Sequence, residues 1–271
     1  MTAWAEVDLH INGGRVRAYR AGRAGAPVVL LAHGLTDNAR YWARTVEALS
    51  ADYEVALYDA RGHGQSGPVA EPFDEDARVH DLLGVVEALG LERLALIGHS
   101  MGAATVAEAA ARRPGLARGV VLQDPPWVDG SVPEEMRRTY MASWKADLLA
   151  LRSLPREAAL AQRRAEQPDW SETDQALSLE ARLEVDPRVL DLYQLARTPW
   201  REVVAAIDCP ILLLTGENAR GAYVTPELAQ EAAGLWRAGR WVHLAGASHS
   251  ARYSRFEQYR AAVTTFLREL P

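Results

Sequence analysis

The chain has 271 residues, a mass of 29.7 kDa, a formal net charge of −6 and a pI near 5.7. A chain of this length can bury roughly three quarters of its unfolded surface, so one domain with an insertion is a reasonable expectation. The acidic balance provides no basic surface, which excludes nucleic-acid binding. The longest uncharged stretch, Leu94–Ala107, is too short to cross a bilayer, so we expect a soluble protein with no membrane partner.

Cysteine content and the first residues indicate the expected compartment. Cys209 is the single cysteine, so no internal disulfide can form, and this fits a reducing cytoplasm. The first ten residues contain Glu6 and Asp8 and lack a basic segment followed by an apolar one. We therefore expect no secretory signal and a cytoplasmic protein.

Apolar runs and helical spacing alternate along most of the chain. A hairpin is predicted first, with Ala5–Ile11 and Val16–Arg20 joined by Asn12-Gly13-Gly14. Short continuous apolar runs then predict strands buried on both faces: Val28–Ala32, Val55–Tyr58, Leu94–Ile97, Val120–Leu122, Ile211–Leu214 and Trp241–Leu244. Helical spacing separates them at Ala39–Leu49, Asp76–Leu89, Ala103–Arg113, Pro226–Trp236 and Arg252–Leu270. The pattern predicts an α/β fold with a mostly parallel, eight-stranded sheet and helices on both faces.

The alternation stops between Pro125 and about Val203. Apolar and charged residues there recur at helical spacing, as in Glu134–Leu151, Arg156–Glu166 and Glu172–Leu183. We predict a helical cap, residues 126–203, over the carboxyl ends of the strands. The core domain then comprises residues 1–125 and 204–271.

A small-x-Ser-x-small turn follows the apolar run Leu94–Ile97. It reads Gly98-His99-Ser100-Met101-Gly102 and precedes an alanine-rich helical stretch. A strand, a sharp turn and a helix in this order are typical of a nucleophile elbow, where the serine backbone is strained and its neighbours must be small. We predict that Ser100 is a nucleophile.

A serine hydroxyl needs a base and donors for the developing oxyanion. Among seven histidines, His249 has the best position, because it lies in a small-residue loop between the last predicted strand and the final helix. The oxyanion hole needs two backbone N–H groups. Leu35, after a buried strand, and Met101, after the nucleophile, are predicted to supply them.

Four segments in chain order carry a family resemblance: His33-Gly34, Asp59–Ser66, Gly98–Gly102 and Gly246–His249. With them the chain resembles the α/β-hydrolase fold family over roughly residues 27–128 and 208–270. The resemblance implies a serine hydrolase with a helical cap. It also implies that Arg61–Ser66 is a structural turn with no part in proton transfer.

The acid of the triad is open between two residues. In many relatives it follows the strand that corresponds to Ile211–Leu214, but where their Gly-x-x-Asp pattern has aspartate this chain has Ala219, and Glu217 could substitute. Asp124 directly follows the preceding strand. Zearalenone lactonases and cofactor-free ring-cleaving dioxygenases in the family carry their acid there. We favour Asp124, which could alternatively only cap the turn before Pro125.

The substrate pocket is less well defined by the sequence. Trp127 lies where the cap begins, and Trp42 follows His33-Gly34-Leu35, the loop that carries the first predicted oxyanion donor (the oxyanion loop). Both are predicted to contact the substrate, although each is also a good core residue. No metal-ligand cluster or phosphate-binding glycine loop is evident, so neither a metal nor a cofactor is expected.

These residues predict a cofactor-independent serine hydrolase for a small to medium apolar carboxylic ester or lactone. Carbon–carbon bond hydrolysis, thioester cleavage, lyase activity and cofactor-free oxygenation use similar groups on this scaffold and stay open. The family's epoxide hydrolases and haloalkane dehalogenases use aspartate where this chain has Ser100, which excludes their usual chemistry. A non-catalytic small-molecule receptor is the alternative from another class, motivated by Ala219. The oligomeric state is open.

Overall fold

A single mixed sheet forms the centre of the protein. The computed structural model describes residues 3–127, 133–193 and 198–271. In the described chain the sheet has eight strands in the order β1-β2-β4-β3-β5-β6-β7-β8. The strands are β1 (Trp4–Ile11), β2 (Gly14–Gly22), β3 (Val28–Ala32), β4 (Glu54–Tyr58), β5 (Leu94–His99), β6 (Ala117–Gln123), β7 (Ile211–Thr215) and β8 (Gly239–His243). The β1–β2 and β2–β4 pairs are antiparallel and the others are parallel.

Helices connect the strands. Those in the described residues are α1 (Ala43–Leu49), α2 (Glu75–Ala88), α3 (Met101–Arg112), α4 (Glu134–Ser153), α5 (Arg156–Glu166), α6 (Glu172–Glu184), α7 (Arg188–Leu192), α8 (Trp200–Ala206), α9 (Pro226–Ala233), α10 (Ala251–Ser254) and α11 (Phe256–Glu269). None of them, within the part of the chain that the structure covers, is long and apolar enough to cross a lipid bilayer.

Both faces of the sheet are covered. Along β5, Leu96 belongs to an apolar cluster shared with α2 and α3, whereas its neighbours Ala95 and Ile97 belong to a second cluster shared with α1 and α11. Successive strand residues point to opposite faces, so continuous apolar runs are what a doubly covered sheet requires. The predicted α/β fold class is confirmed.

Two predicted helices begin or break differently. The stretch Ala39–Leu49 starts as a 3₁₀ turn at Ala39–Trp42 before α1 follows. The final helix is divided at Arg255 (φ −144°, ψ 56°), because that backbone conformation is not helical. The short α10 that results directly follows residues 244–250, the loop that contains His249 (the histidine loop).

The segment between β6 and β7 contains helices α4–α8. Helix α5 packs on α6, α4 on α7, and α6 on the 3₁₀ turn beside the oxyanion loop. Helix α8 instead packs on α3 and runs across the predicted cap boundary at residue 203, with Trp200, Val203 and Val204 in the main apolar cluster. The boundaries 126–203 stay a prediction, and parts of that segment, residues 128–132 and 194–197, lie outside the described residues.

Candidate active site

Ser100 occupies a strained turn between β5 and α3. Its φ of +52° and ψ of −118° lie outside the ordinary regions for a side-chain-bearing residue. A Cβ on Gly98 would lie 2.3 Å from the Gly102 carbonyl oxygen, and one on Gly102 would lie 2.2 Å from the Ala32 carbonyl oxygen. Glycine is therefore required on both sides. The Ser100 side chain makes no capping hydrogen bond to α3, so its hydroxyl is not tied to the helix.

Asp124 directly follows β6 and holds the imidazole of His249. Its Oδ2 lies 2.5 Å from His249 Nδ1. The backbone N–H of Tyr223 donates to both carboxylate oxygens at 2.9 and 3.1 Å, and that of Val224 donates to Oδ1 at 2.9 Å. The Asp124 side chain is 1% exposed, whereas that of His249 is 25% exposed. A carboxylate fixed by backbone donors can set the imidazole's tautomer and orientation while the ring keeps an open side.

The His249 loop returns to the elbow. The His249 ring centroid lies 4.6 Å from that of His99, the residue before Ser100. The His249 carbonyl oxygen is 3.2 Å from His99 Nε2, and the Tyr223 ring packs edge-on against the imidazole at 4.8 Å. These contacts bring the histidine loop, the nucleophile turn and Asp124 together at the carboxyl ends of the parallel strands.

Glu217, the alternative acid, is paired elsewhere. Its Oε1 accepts a hydrogen bond from Gly246 N at 3.1 Å and lies 3.1 Å from His243 Nε2. The Gly246 N–H and the His243 ring lower the pKa of Glu217. The structure thus places Glu217 at the base of the histidine loop, whereas the carboxylate at the His249 ring belongs to Asp124.

The predicted oxyanion donors come from two fixed segments. Leu35 lies in the loop after β3, and Met101 is the first residue of α3; they are 5% and 3% exposed. Among the hydrogen bonds of the described chain, neither N–H has an acceptor. This is the condition that the predicted role of both groups as oxyanion donors requires.

Two buried histidines support the oxyanion loop. His33 Nε2 accepts from Ala60 N at 3.0 Å, so its Nδ1 donates to the Gly34 carbonyl oxygen at 2.8 Å. His63 Nε2 lies 2.7 Å from the Leu35 carbonyl oxygen. Burial lowers the pKa of both rings, that of His63 to about 4, which keeps them neutral near neutral pH. They fix the backbone on each side of the Leu35 N–H.

The Asp59–Ser66 segment has a structural role. Asp59 accepts hydrogen bonds from Ala39 N, Gln65 N and the Tyr19 hydroxyl at 2.7–2.9 Å. The Ser66 hydroxyl donates to the Asp59 carbonyl oxygen. These bonds join the turn to the 3₁₀ helix after the oxyanion loop.

The two tryptophans predicted to contact the substrate are buried. Trp127 is 7% exposed and stacks on Trp200, with ring centroids 4.5 Å apart. Trp42 is 1% exposed and packs against the Arg252 guanidinium, 4.4 Å from its ring centroid. Apolar burial and the neighbouring cation account for the position of Trp42, and a substrate contact stays a prediction for both tryptophans.

No metal site is formed by the described side chains: residues 3–127, 133–193 and 198–271 contain no group of three or more His, Cys, Asp or Glu that could hold an ion. Several residues around the site were missed by sequence reasoning. Tyr223 and Val224 act through their backbone, which leaves no side-chain signal. His99 occupies a variable position of the small-x-Ser-x-small turn, so that pattern gives no signal for it.

The comparisons with known proteins agree with this architecture. A model of the alpha/beta hydrolase fold family matches residues 27–254. Over 109 residues, 39% of this chain and 34% of the other, the chain is 43% identical to epoxide hydrolase A of Mycobacterium tuberculosis. It is 37% identical over 106 residues, 38% of this chain and 40% of the other, to a putative carbamate hydrolase RutD of Pseudomonas savastanoi. Thus the match spans only about a third to two fifths of these curated relatives.

A solved structure matches over nearly the whole length. The enol-lactonase of Burkholderia xenovorans superposes with a TM-score of 0.78 at 25% identity, covering 97% of this chain and all of the other. The sheet, the strained serine turn and the family match lead to one conclusion: the chain belongs to the alpha/beta hydrolase fold family.

Proposed function

We propose that the protein is a cofactor-independent serine hydrolase that cleaves a small to medium apolar carboxylic ester or lactone. The observation that carries the proposal is the bond between Asp124 and His249 beside the serine turn. A carboxylate, an imidazole and a serine at a strand-to-helix bend together form the arrangement that activates a hydroxyl for acyl transfer.

Each group has a distinct task in the proposed mechanism. Ser100 attacks the substrate carbonyl carbon, and His249 takes the hydroxyl proton and returns it to the leaving group. Asp124 holds the imidazole so that its Nε2 accepts that proton. The N–H groups of Leu35 and Met101 bind the oxyanion, each lowering the barrier by about 3 kcal/mol. Water then hydrolyses the acyl-enzyme by the same route.

The substrate class rests on the site and the relatives together. The similarity to an enol-lactonase supports an ester or a lactone. The carbamate hydrolase relative favours a second candidate, cleavage of a C–N bond at a carbamate carbonyl by the same groups. We do not propose epoxide hydrolysis from the epoxide hydrolase relative, because this chain has Ser100 at the position where epoxide opening uses aspartate.

Replacement of the nucleophile tests the proposal. We expect Ser100→Ala to reduce kcat on p-nitrophenyl butyrate roughly a millionfold while circular dichroism stays that of the wild type. A fluorophosphonate should form one adduct, on Ser100. Retained activity in Ser100→Ala would refute the proposal, and a folded wild-type protein that forms no adduct would favour the receptor.

A further inference from the structure

Two buried side chains contact the carbonyl oxygen of His249. Gln123 Nε2 donates to it at 3.3 Å, and His99 Nε2 lies 3.2 Å from it. Gln123 is fully buried and His99 is 3% exposed. Gln123 immediately precedes Asp124, and His99 immediately precedes Ser100. One oxygen of the histidine loop thus contacts the strand ends that carry the other two members of the proposed triad, and the Gln123 amide donates a hydrogen bond to it.

His99 is itself fixed from its other side. Its Nδ1 lies 3.1 Å from Asp37 Oδ2, and the same oxygen accepts from Arg252 Nη2 at 2.8 Å and from Gly34 N at 3.3 Å. Burial alone would raise the pKa of Asp37, but the Arg252 guanidinium and the His99 ring outweigh it and hold the pKa well below its usual range. Asp37 is therefore ionised and accepts the Nδ1–H of His99. Burial lowers the pKa of His99 to about 3, so the ring is neutral with one N–H, and its Nε2 packs against the His249 carbonyl oxygen without donating to it.

Three aromatic rings enclose the arginine. The Arg252 guanidinium carbon lies 5.0, 4.4 and 4.5 Å from the ring centroids of Tyr41, Trp42 and Tyr253, and its side chain is 1% exposed. Cation–π attraction of this kind compensates part of the cost of burying the charge. Because Arg252 lies three residues after His249, the contacts form a closed circuit from the histidine loop through Asp37 and His99 back to the His249 carbonyl.

The histidine loop needs such restraint. It is an irregular segment between β8 and α10, and the bond to Asp124 fixes only one nitrogen of a ring that is a quarter exposed. A base displaced by about 1 Å can lose roughly a hundredfold in rate. We propose that Gln123 and His99 are positioning residues that hold His249 in reach of Ser100, with Asp37 and Arg252 fixing His99. This inference rests on the proposed serine hydrolase function.

Gln123→Leu removes one of the two contacts to the His249 carbonyl oxygen and puts an apolar side chain of similar size in place of the amide. The concentration of active sites is first titrated to completion with the fluorophosphonate, so that unfolded protein does not enter the rate. We expect kcat per titrated site on p-nitrophenyl butyrate to fall about a hundredfold, with KM within about twofold of wild type. The fluorophosphonate rate constant should fall in parallel. If Gln123 had only a structural role, the substitution would lower the melting temperature and leave kcat per titrated site unchanged.

Gln175→Leu is the matched control. Gln175 is 5% exposed, lies in α6, and its Nε2 donates to the carbonyl oxygens of Gln167 and Trp170 at 2.9 and 3.2 Å. The same substitution there should lower the melting temperature and leave kcat per site unchanged. An equal fall in kcat for both variants would overturn the inference, as would a folded Gln123→Leu protein with kcat within threefold of wild type.

Variants at His99 decide the case if Gln123→Leu does not fold. His99→Asn keeps an amide donor at the position of Nδ1, facing Asp37, and His99→Leu keeps none, so kcat per site should decrease in the order wild type, His99→Asn, His99→Leu. Equal kcat in all three would overturn the inference. Failure of the proposed function is distinguishable, because it would appear as retained activity in Ser100→Ala.

Discussion

Asp124→Asn is the substitution with the most direct consequence for the proposed triad. An asparagine would place its amide N–H₂ where Oδ2 now meets His249 Nδ1 at 2.5 Å. An amide donor there makes Nδ1 an acceptor, which moves the ring proton to Nε2, the nitrogen that must receive the serine proton. We expect kcat to fall about ten-thousandfold, equivalent to about 5 kcal/mol of barrier. The measurement is steady-state hydrolysis of p-nitrophenyl butyrate, normalised to folded protein by circular dichroism.

Glu217→Gln is the control for that experiment. The glutamine keeps an oxygen that can accept from Gly246 N, and the lost charge faces His243 and Arg220 on an exposed surface. We expect kcat within about twofold of wild type, because exposed pairs contribute little. A crippled Glu217→Gln protein beside an active Asp124→Asn protein would show that the acid has been assigned to the wrong strand.

Two further predictions concern stability. The folded protein protonates His63 only near pH 4 whereas the unfolded chain protonates it near 6.5, so the unfolded state binds more protons between these values. The free energy of unfolding should therefore fall as the pH falls from 6.5 to 4, by about 3 kcal/mol from this group; urea titrations of wild type and His63→Gln measure it, and an identical pH dependence in both would contradict the reasoning. Gly102→Ala should lower that free energy at pH 7 by about 3 kcal/mol, since its Cβ would meet the Ala32 carbonyl oxygen at 2.2 Å. Gly14→Ala, whose nearest contact would be 3.8 Å away, should change it by less than about 1 kcal/mol, and equal losses for the two would refute the steric argument.

The parts of the fold that follow from local patterns could be predicted from the sequence. Apolar runs located the parallel strands because a doubly covered strand must be apolar on both faces. The Gly98–Gly102 turn indicated its own geometry, because only glycine fits beside the strained serine. The positions of strand ends and helix breaks are predicted less accurately. At Arg255, for example, the backbone conformation of one residue ends a helix that the pattern predicts to continue.

Contacts between distant segments were not accessible to the same reasoning. His99 and Asp37 are 62 residues apart, and nothing in either local pattern shows that the ring faces the carboxylate. A tryptophan at position 42 could line a pocket or belong to the core, and its packing against Arg252 is visible only in the structure. The choice between Asp124 and Glu217 likewise depended on which strand end the histidine loop approaches.

The location of Asp124 directly after β6 has a consequence for the connection that follows β7. With the proposed assignment, residues 216–222 carry no catalytic side chain, and Tyr223 and Val224 serve the carboxylate only through main-chain amides. Amino-acid identity in that connection is consequently free to drift as long as its path is retained. A sequence pattern that demands an aspartate there would reject this chain, although the proposed triad needs none at that position.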